Sequence, residues 1–263
     1  PQGNGRVTYV NGDCYEGTVA GGRREGHGFL STVRGERYKG GWLNDKQEGQ
    51  GVCEWTSGDR YDGQWRSGQR HGHGKHEKPS QWSYQGPWEN GRRHGKDGVL
   101  ELAKGDRFRG IWVDDVLHGE GSHTNQRTGE SYQGQYVTGR RSGKGTARLS
   151  DGSSYQGQWE DDVMSGDGSL ADASGNRLAG QFVAGKLHGP GRFEYGVGGD
   201  VYEGIFCRGK RHGHGRMSSQ DGSSYDGQWE EDLRSGEGTR ISCDGKYSGY
   251  WQNDLMNGQG DLQ

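Results

Sequence analysis

Histidines are the first residues placed as if for chemistry. His71, His94, His118, His188 and His212 each stand directly before a glycine of a short glycine-rich run, and His27, His73 and His214 lie inside Gly-x-Gly triplets. A column of imidazoles could ligate a metal or titrate near neutral pH. The same position in successive hairpins, however, lies about 9–10 Å apart, too far for one shared ion, so the column reads as structural or surface. Gly143-Lys144-Gly145-Thr146 offers backbone amides to a phosphate, but lacks the spacing and the strand-to-helix setting that such a cradle needs. The acid doublets Asp114-Asp115, Asp161-Asp162 and Glu231-Asp232 fall in turns, where carboxylates are solvated. Cys14, Cys53, Cys207 and Cys243 stand apart, without the C-x-x-C spacing of a zinc or redox site. No Ser or Cys has a base and an orienting group beside it in the pattern. The chain therefore reads as no enzyme, with no cofactor and no metal.

The elements that must position these residues follow from the composition. Of 263 residues 55 are glycine, 4 are proline, and the apolar types make up 26%. That is too little apolar side chain for a thick two-layer core. Nine Trp, 13 Tyr and 5 Phe are far too many for a disordered chain, and the every-third glycine of collagen is absent. No apolar run exceeds three residues, so neither a transmembrane helix nor a signal-peptide core is predicted. A net charge of −3 argues against nucleic acid as a partner and gives no global basic surface for membrane lipid. The scattered cysteines predict a reducing, cytoplasmic setting. A thin ordered sheet packed mainly by aromatics remains.

Tyr15, Tyr38, Tyr61, Tyr84, Phe108, Tyr132, Tyr155, Leu178, Tyr202, Tyr225 and Tyr247 begin eleven repeats at steps of 22–24 residues. Counting from each, glycine stands at +2 and +11 in all eleven, and an aromatic stands at +4 in ten. A further glycine stands at +13 in ten, Asp97 being the exception. Positions 0, +2 and +4 share one face of a strand. Position +7 is always Gly or Asp, which marks a turn. Asn11-Gly12, Ser57-Gly58, Asp151-Gly152 and Asp221-Gly222 mark a second one. Each repeat is thus a β-hairpin. The pattern Tyr/Phe-x-Gly-x-aromatic followed by Gly-x-Gly resembles the MORN (membrane occupation and recognition nexus) repeat family over essentially the whole chain. The prediction is an all-β protein, an elongated single-layer antiparallel β-meander of about eleven stacked hairpins, one continuous domain over residues 1–263. At about 4.8 Å per strand, roughly 22 strands would extend about 100 Å.

Glycines leave room for rings to lie over the backbone, so an aromatic ladder replaces a second layer. The open side of such a layer predicts a groove for an apolar or helical partner segment, lined by Trp42, Trp65, Trp88, Trp112, Tyr136 and Trp159. Positions +8 and +9 line one edge. There Arg23, Arg24, Arg92 and Arg93, with Lys46 and Arg70, predict a basic edge on the first four repeats, exposed to an acidic protein. The fourth repeat reads as irregular: Pro87 sits in a strand, Ser80-Gln81-Trp82-Ser83 replaces the usual turn, and Gly95-Lys96-Asp97-Gly98 carries one extra residue. A bulge and a local bend or contact site within residues 79–98 are expected. The resemblance implies a non-enzymatic scaffold docking proteins in a cytoskeletal assembly. Its nearest likeness is to radial spoke head and flagellar MORN proteins, hence a cilium or flagellum axoneme. A peripheral phospholipid-tethering module, the repeat part of a larger regulator, and self-association stay open.

Overall fold

A computed structural model describes residues 2–262. The chain is all-β, with 24 strands and no helix among the described residues. It falls into two compact units: residues up to Arg127 with Tyr136–Gly139, and Thr128–Gln135 with the residues from Arg140 onward. The N-terminal unit carries β1 (Gln2–Thr8), β2 (Cys14–Ala20), β3 (Arg23–Ser31), β4 (Arg37–Leu43), β5 (Lys46–Glu54) and β6 (Arg60–Arg66). It continues with β7 (Gln69–Lys78), β8 (Trp82–Glu89), β9 (Arg92–Arg93), β10 (Gly95–Leu102), β11 (Asp106–Val113) and β12 (Val116–Asn125). Successive strands pair antiparallel there, with β9 and β10 both on β8. Strand β13 (Ser131–Val137) is divided between the units. The C-terminal unit repeats the meander from β14 (Arg140–Arg148) to β24 (Leu255–Leu262). The two strands beyond those of eleven hairpins are β1, the tail of an earlier hairpin, and the one made by a break at His94.

The turn at +6 and +7 has two residues, both with positive φ, as at Asn44 (49°) and Asp45 (66°) or Asn90 (50°) and Gly91 (80°). This is the type I′ geometry that matches strand twist and favours glycine at +7. Opposite the step from +2 to +3, two extra residues loop out of the second strand: Gly17 faces Gly28, but Thr18 faces Glu25. The same shift recurs after Gly40 and Gly63, and in the other unit after Gly157, Gly204 and Gly227. Such bulges bend the strand and raise its twist. The +11 glycines sit in them with left-handed φ, for example 59° at Gly26.

At the bulge the tyrosine hydroxyl caps a main-chain carbonyl. Tyr15, Tyr38, Tyr61 and Tyr84 each donate the phenol hydroxyl to the carbonyl three residues on, at 2.9–3.1 Å. Tyr155, Tyr202 and Tyr225 do so in the C-terminal unit. To reach it the ring lies flat over the facing +2 and +13 glycines, where any β-carbon would overlap the phenol. Burial pushes the phenol pKa up, to about 12 at Tyr202, so the donor keeps its proton. The expected one-residue surplus in the fourth repeat is present: between the pairs Trp88–Arg93 and Gln85–Val99 three residues are extra rather than two, and the strand breaks at His94.

Gly74→Ala places a methyl inside the Tyr61 phenol. It is expected to destabilise the N-terminal unit by about 2–3 kcal/mol, read as a lower denaturation midpoint. Gly5→Ala, with open space around its β-carbon, leaves the midpoint unchanged.

Candidate functional site

The aromatic residues predicted to line a groove form the core instead. Trp42, Trp65, Trp88, Trp112, Tyr136 and Trp159 are all between 4% and 6% exposed. Trp42, Trp65, Trp88 and Trp159 are each wedged edge-on between two tyrosines, as Trp42 is between Tyr15 (5.6 Å) and Tyr38 (5.0 Å), and Trp112 packs edge-on against Tyr84. Each also donates its indole N–H to a glycine carbonyl of the preceding repeat, at +13 for Trp65 to Gly51 (3.0 Å) and, past the extra residue of the fourth repeat, at +14 for Trp112 to Gly98 (2.9 Å). These six residues leave no continuous aromatic groove along the repeats. The layer needs no second sheet because rings, bulges and arginines cover one another.

The predicted basic edge also resolves differently. Arg24 and Arg93, expected to be exposed, lie only 21% and 22% exposed. Their guanidinium groups stack on the tryptophan of the next repeat, 4.2 Å over Trp42 and 4.5 Å over Trp112. Each also grips the aspartate of the next turn. Arg93 donates Nε and its main-chain N–H to Asp115 Oδ1, both at 3.0 Å, and Nη2 to the Asp115 carbonyl at 2.7 Å. The same contacts join Arg24 to Asp45, and in the C-terminal unit Arg141 to Asp162, Arg211 to Asp232 and Arg234 to Asp254. At Asp45 the Arg24 main-chain N–H, then the guanidinium, hold the carboxyl below its ordinary range. Arg23 and Arg92 do remain exposed. Arg23 donates to Asn44 at 2.9 Å, and Arg92 lies 4.0 Å from Asp114. The acid doublets are therefore the partners of basic doublets one repeat earlier, and the edge is largely neutralised. Position +10 completes the latch. Glu25 accepts from the Asn44 N–H at 2.9 Å, and His94 and His118 stand in the same place beside the Asp114 and Thr138 N–H groups (3.4 and 3.5 Å). That is a structural role for His94 and His118, and no metal-holding cluster is found among the described residues.

Two tryptophans outside the repeat pattern converge on a third histidine. His76 is 9% exposed, with Trp82 at 4.7 Å, Trp55 at 5.5 Å and Trp88 at 5.8 Å between ring centroids. Arg70 donates Nη1 to His76 Nδ1, which places the ring hydrogen on Nε2. Burial first, then the Arg70 charge, pull the His76 pKa down to about 4, with Arg93 acting the same way and Asp59 against it. In the fifth repeat the equivalent pair is joined, His123 Nε2 to Asp106 at 2.8 Å. In the third repeat Arg70 holds the imidazole, and both His76 Nε2 and Asp59 Oδ1 are buried without a hydrogen-bond partner.

What stays available is the opposite face, made by residues alternating with the buried ones. In the N-terminal unit a cavity of ≈660 Å³ there is lined by Glu16, His27, Phe29, Lys39, Val52 and Asp62, among others. In the C-terminal unit the same repeat positions, with Lys144, Thr146, Gln156, Asp167 and Ser169, line one of ≈590 Å³. The side chains at these positions differ from repeat to repeat.

The MORN repeat model matches eleven segments, from 15–37 through 108–125 and 132–154 to 247–263. The chain belongs to the MORN-repeat family. No curated protein matches it as a relative. Among solved structures it is similar to the TCP10 domain of Danio rerio CPAP in complex with a STIL peptide, at 9% identity over 99% of this chain and 97% of that one, TM-score 0.36. The TCP domain of Drosophila melanogaster SAS-4 in complex with a proline-rich motif of Ana2 gives 9% identity over 73% and 83%, TM-score 0.28. Likeness at this level carries no functional argument.

Two outcomes test this description. Arg93→Lys keeps the charge but loses both the planar stack on Trp112 and the forked grip on Asp115, so it should cost about 1–2 kcal/mol in chemical denaturation. For His76, the native pKa of about 4 lies below the ordinary 6.5. The unfolded chain thus takes up a proton that the folded one refuses. Stability is full above about pH 6.5 and falls as pH drops toward 4, by up to roughly 3 kcal/mol. His76→Leu should flatten that part of the pH–stability curve.

Proposed function

We propose that the protein is a non-enzymatic scaffold, acting as one continuous repeat domain that docks partner proteins along its outer face within a cytoskeletal, axonemal assembly of the radial-spoke kind. The observation that carries this reading is the division of labour within each repeat. The recurring positions 0, +2, +4 and +13 are consumed by the aromatic and glycine packing and +11 by the bulge, and the variable positions +1, +12 and +14 line the outer cavities of both units. A regular frame with changing side chains gives each stretch its own docking chemistry. The exposed residues on the rim, Arg23 and Arg92, add charge to that face's border, while the six core aromatics act only through the frame. Family membership supports a scaffold or a membrane-binding module, and the mixed Glu16, Lys39 and Asp62 lining favours protein over an anionic bilayer.

Phe29→Glu with Lys39→Glu alters the outer cavity without touching the core. Pull-down from an axonemal extract is expected to recover partners with the wild-type chain and lose them with this variant. Equal capture by both, or sedimentation with phosphatidylserine vesicles in place of protein capture, would overturn the reading.

A further inference from the structure

Six arginines occupy position +9, and five of them meet the carboxylate of the next turn. Arg70 does not. Residue 91 is glycine, and Arg70 enters no ion pair among the described residues. Its guanidinium is nevertheless set as in the other latches, 4.3 Å over Trp88 and donating to the Gly91 carbonyl at 2.7 Å. Only the carboxylate that would receive Nε and the main-chain N–H is missing. The neighbouring Asp115 is held by Arg93. Burial disfavours the unneutralised guanidinium and lowers its pKa.

The surroundings are those of a binding site. A cavity of ≈410 Å³ adjoins Arg70, walled by Trp82, Trp88, Leu100 and Leu102, with the mutually paired Arg93 and Asp115 at its border. Trp82 and both leucines are half-exposed. On its wall stands His76, nine-tenths buried, with Nε2 unpartnered. At Gly91 nothing lies within 4 Å of where a β-carbon would stand, so the space that an aspartate fills in the other latches is open. An uncompensated cation beside an apolar cavity is complementary to a carboxylate next to an apolar side chain.

We propose that Arg70 and the adjoining cavity bind an acidic segment of a partner protein. Its carboxylate takes the place beside Gly91 that aspartate fills in the other five latches, and its neighbouring apolar side chain enters the cavity between Trp82 and Leu100. This rests on the scaffold reading and narrows it to one motif at the third and fourth repeats.

The test is an NMR titration of the full chain with the peptide Ac-Gly-Asp-Leu-Gly-NH2 and its Asn counterpart. The Trp82 indole and Arg70 Nε–H signals should shift with the Asp peptide, and the Asn peptide should bind roughly tenfold more weakly or worse. Gly91→Asp supplies the carboxylate within the chain. It should weaken the Asp peptide at least as much while holding or raising the melting temperature, a combination that a merely damaged fold would not give. Equal response to the two peptides, undiminished binding by Gly91→Asp, or the same shifts with inorganic phosphate would overturn the proposal. Those failures leave the outer-face capture experiment unaffected, so the scaffold reading stands or falls separately.

Discussion

A phenol hydroxyl reaching across two glycines is the contact on which everything else rests. It caps the carbonyl at the bulge, on Thr18, Gly41, Gln64 or Pro87, in repeats that begin with tyrosine, while the hairpins of Phe108 and Leu178 bulge without it. The bulge coils the strands, and coiling lets a layer without a second sheet bury its tyrosines almost completely. The glycine content follows from the same contact. At +2 and +13 of the tyrosine repeats the ring occupies the volume of any side chain, Leu117 and Leu187 crowd Gly110 and Gly180 in the Phe108 and Leu178 repeats, and at +11 the bulge requires positive φ. One hydrogen bond and its steric demand thus account for three of the five recurring positions.

The second ingredient joins neighbours. A tryptophan, an arginine and an aspartate from two consecutive repeats share one cluster, in which stacking orients the guanidinium for the carboxylate. The aspartate stands in a left-handed turn position that glycine would take more easily. Its presence there reflects the arginine it meets. Surface ion pairs contribute little alone, but these guanidinium groups are three-quarters buried and held at several points. They seal the edge of the aromatic row and fix the offset of each turn against the last.

Much of this was legible in the sequence, and what escaped did so for physical reasons. The period, the hairpins, the two turns and the extra residue near Gly95 all followed from glycine and aromatic spacing, because those residues answer to local backbone geometry. The bulge in each repeat did not follow, since a left-handed glycine inside a strand looks like any other glycine until its pairing partners are known. The arginine contacts did not follow from edge charge, because each guanidinium meets a turn of the next repeat rather than a neighbour on its own rim. The signal was present: every aspartate at +7, from Asp45 to Asp254, follows a repeat with arginine at +9. The gathering of Trp55, Trp82 and Arg70 around His76 joins turn and strand residues of two repeats, and no single-repeat pattern contains it.

The head-to-tail cluster gives the repeats a syntax for insertion and loss. Removing the second repeat alone would set Arg24 against the turn that ends in Gly68, stranding a guanidinium. Removing the second, third and fourth together would bring Arg24 onto Asp115, an equivalent of the partner it has now. Lengthening and shortening by duplication are therefore constrained not at the level of the hairpin, which is self-similar, but at its seams. A chain of this kind can change length cheaply only where the mating residues on both sides of the cut agree.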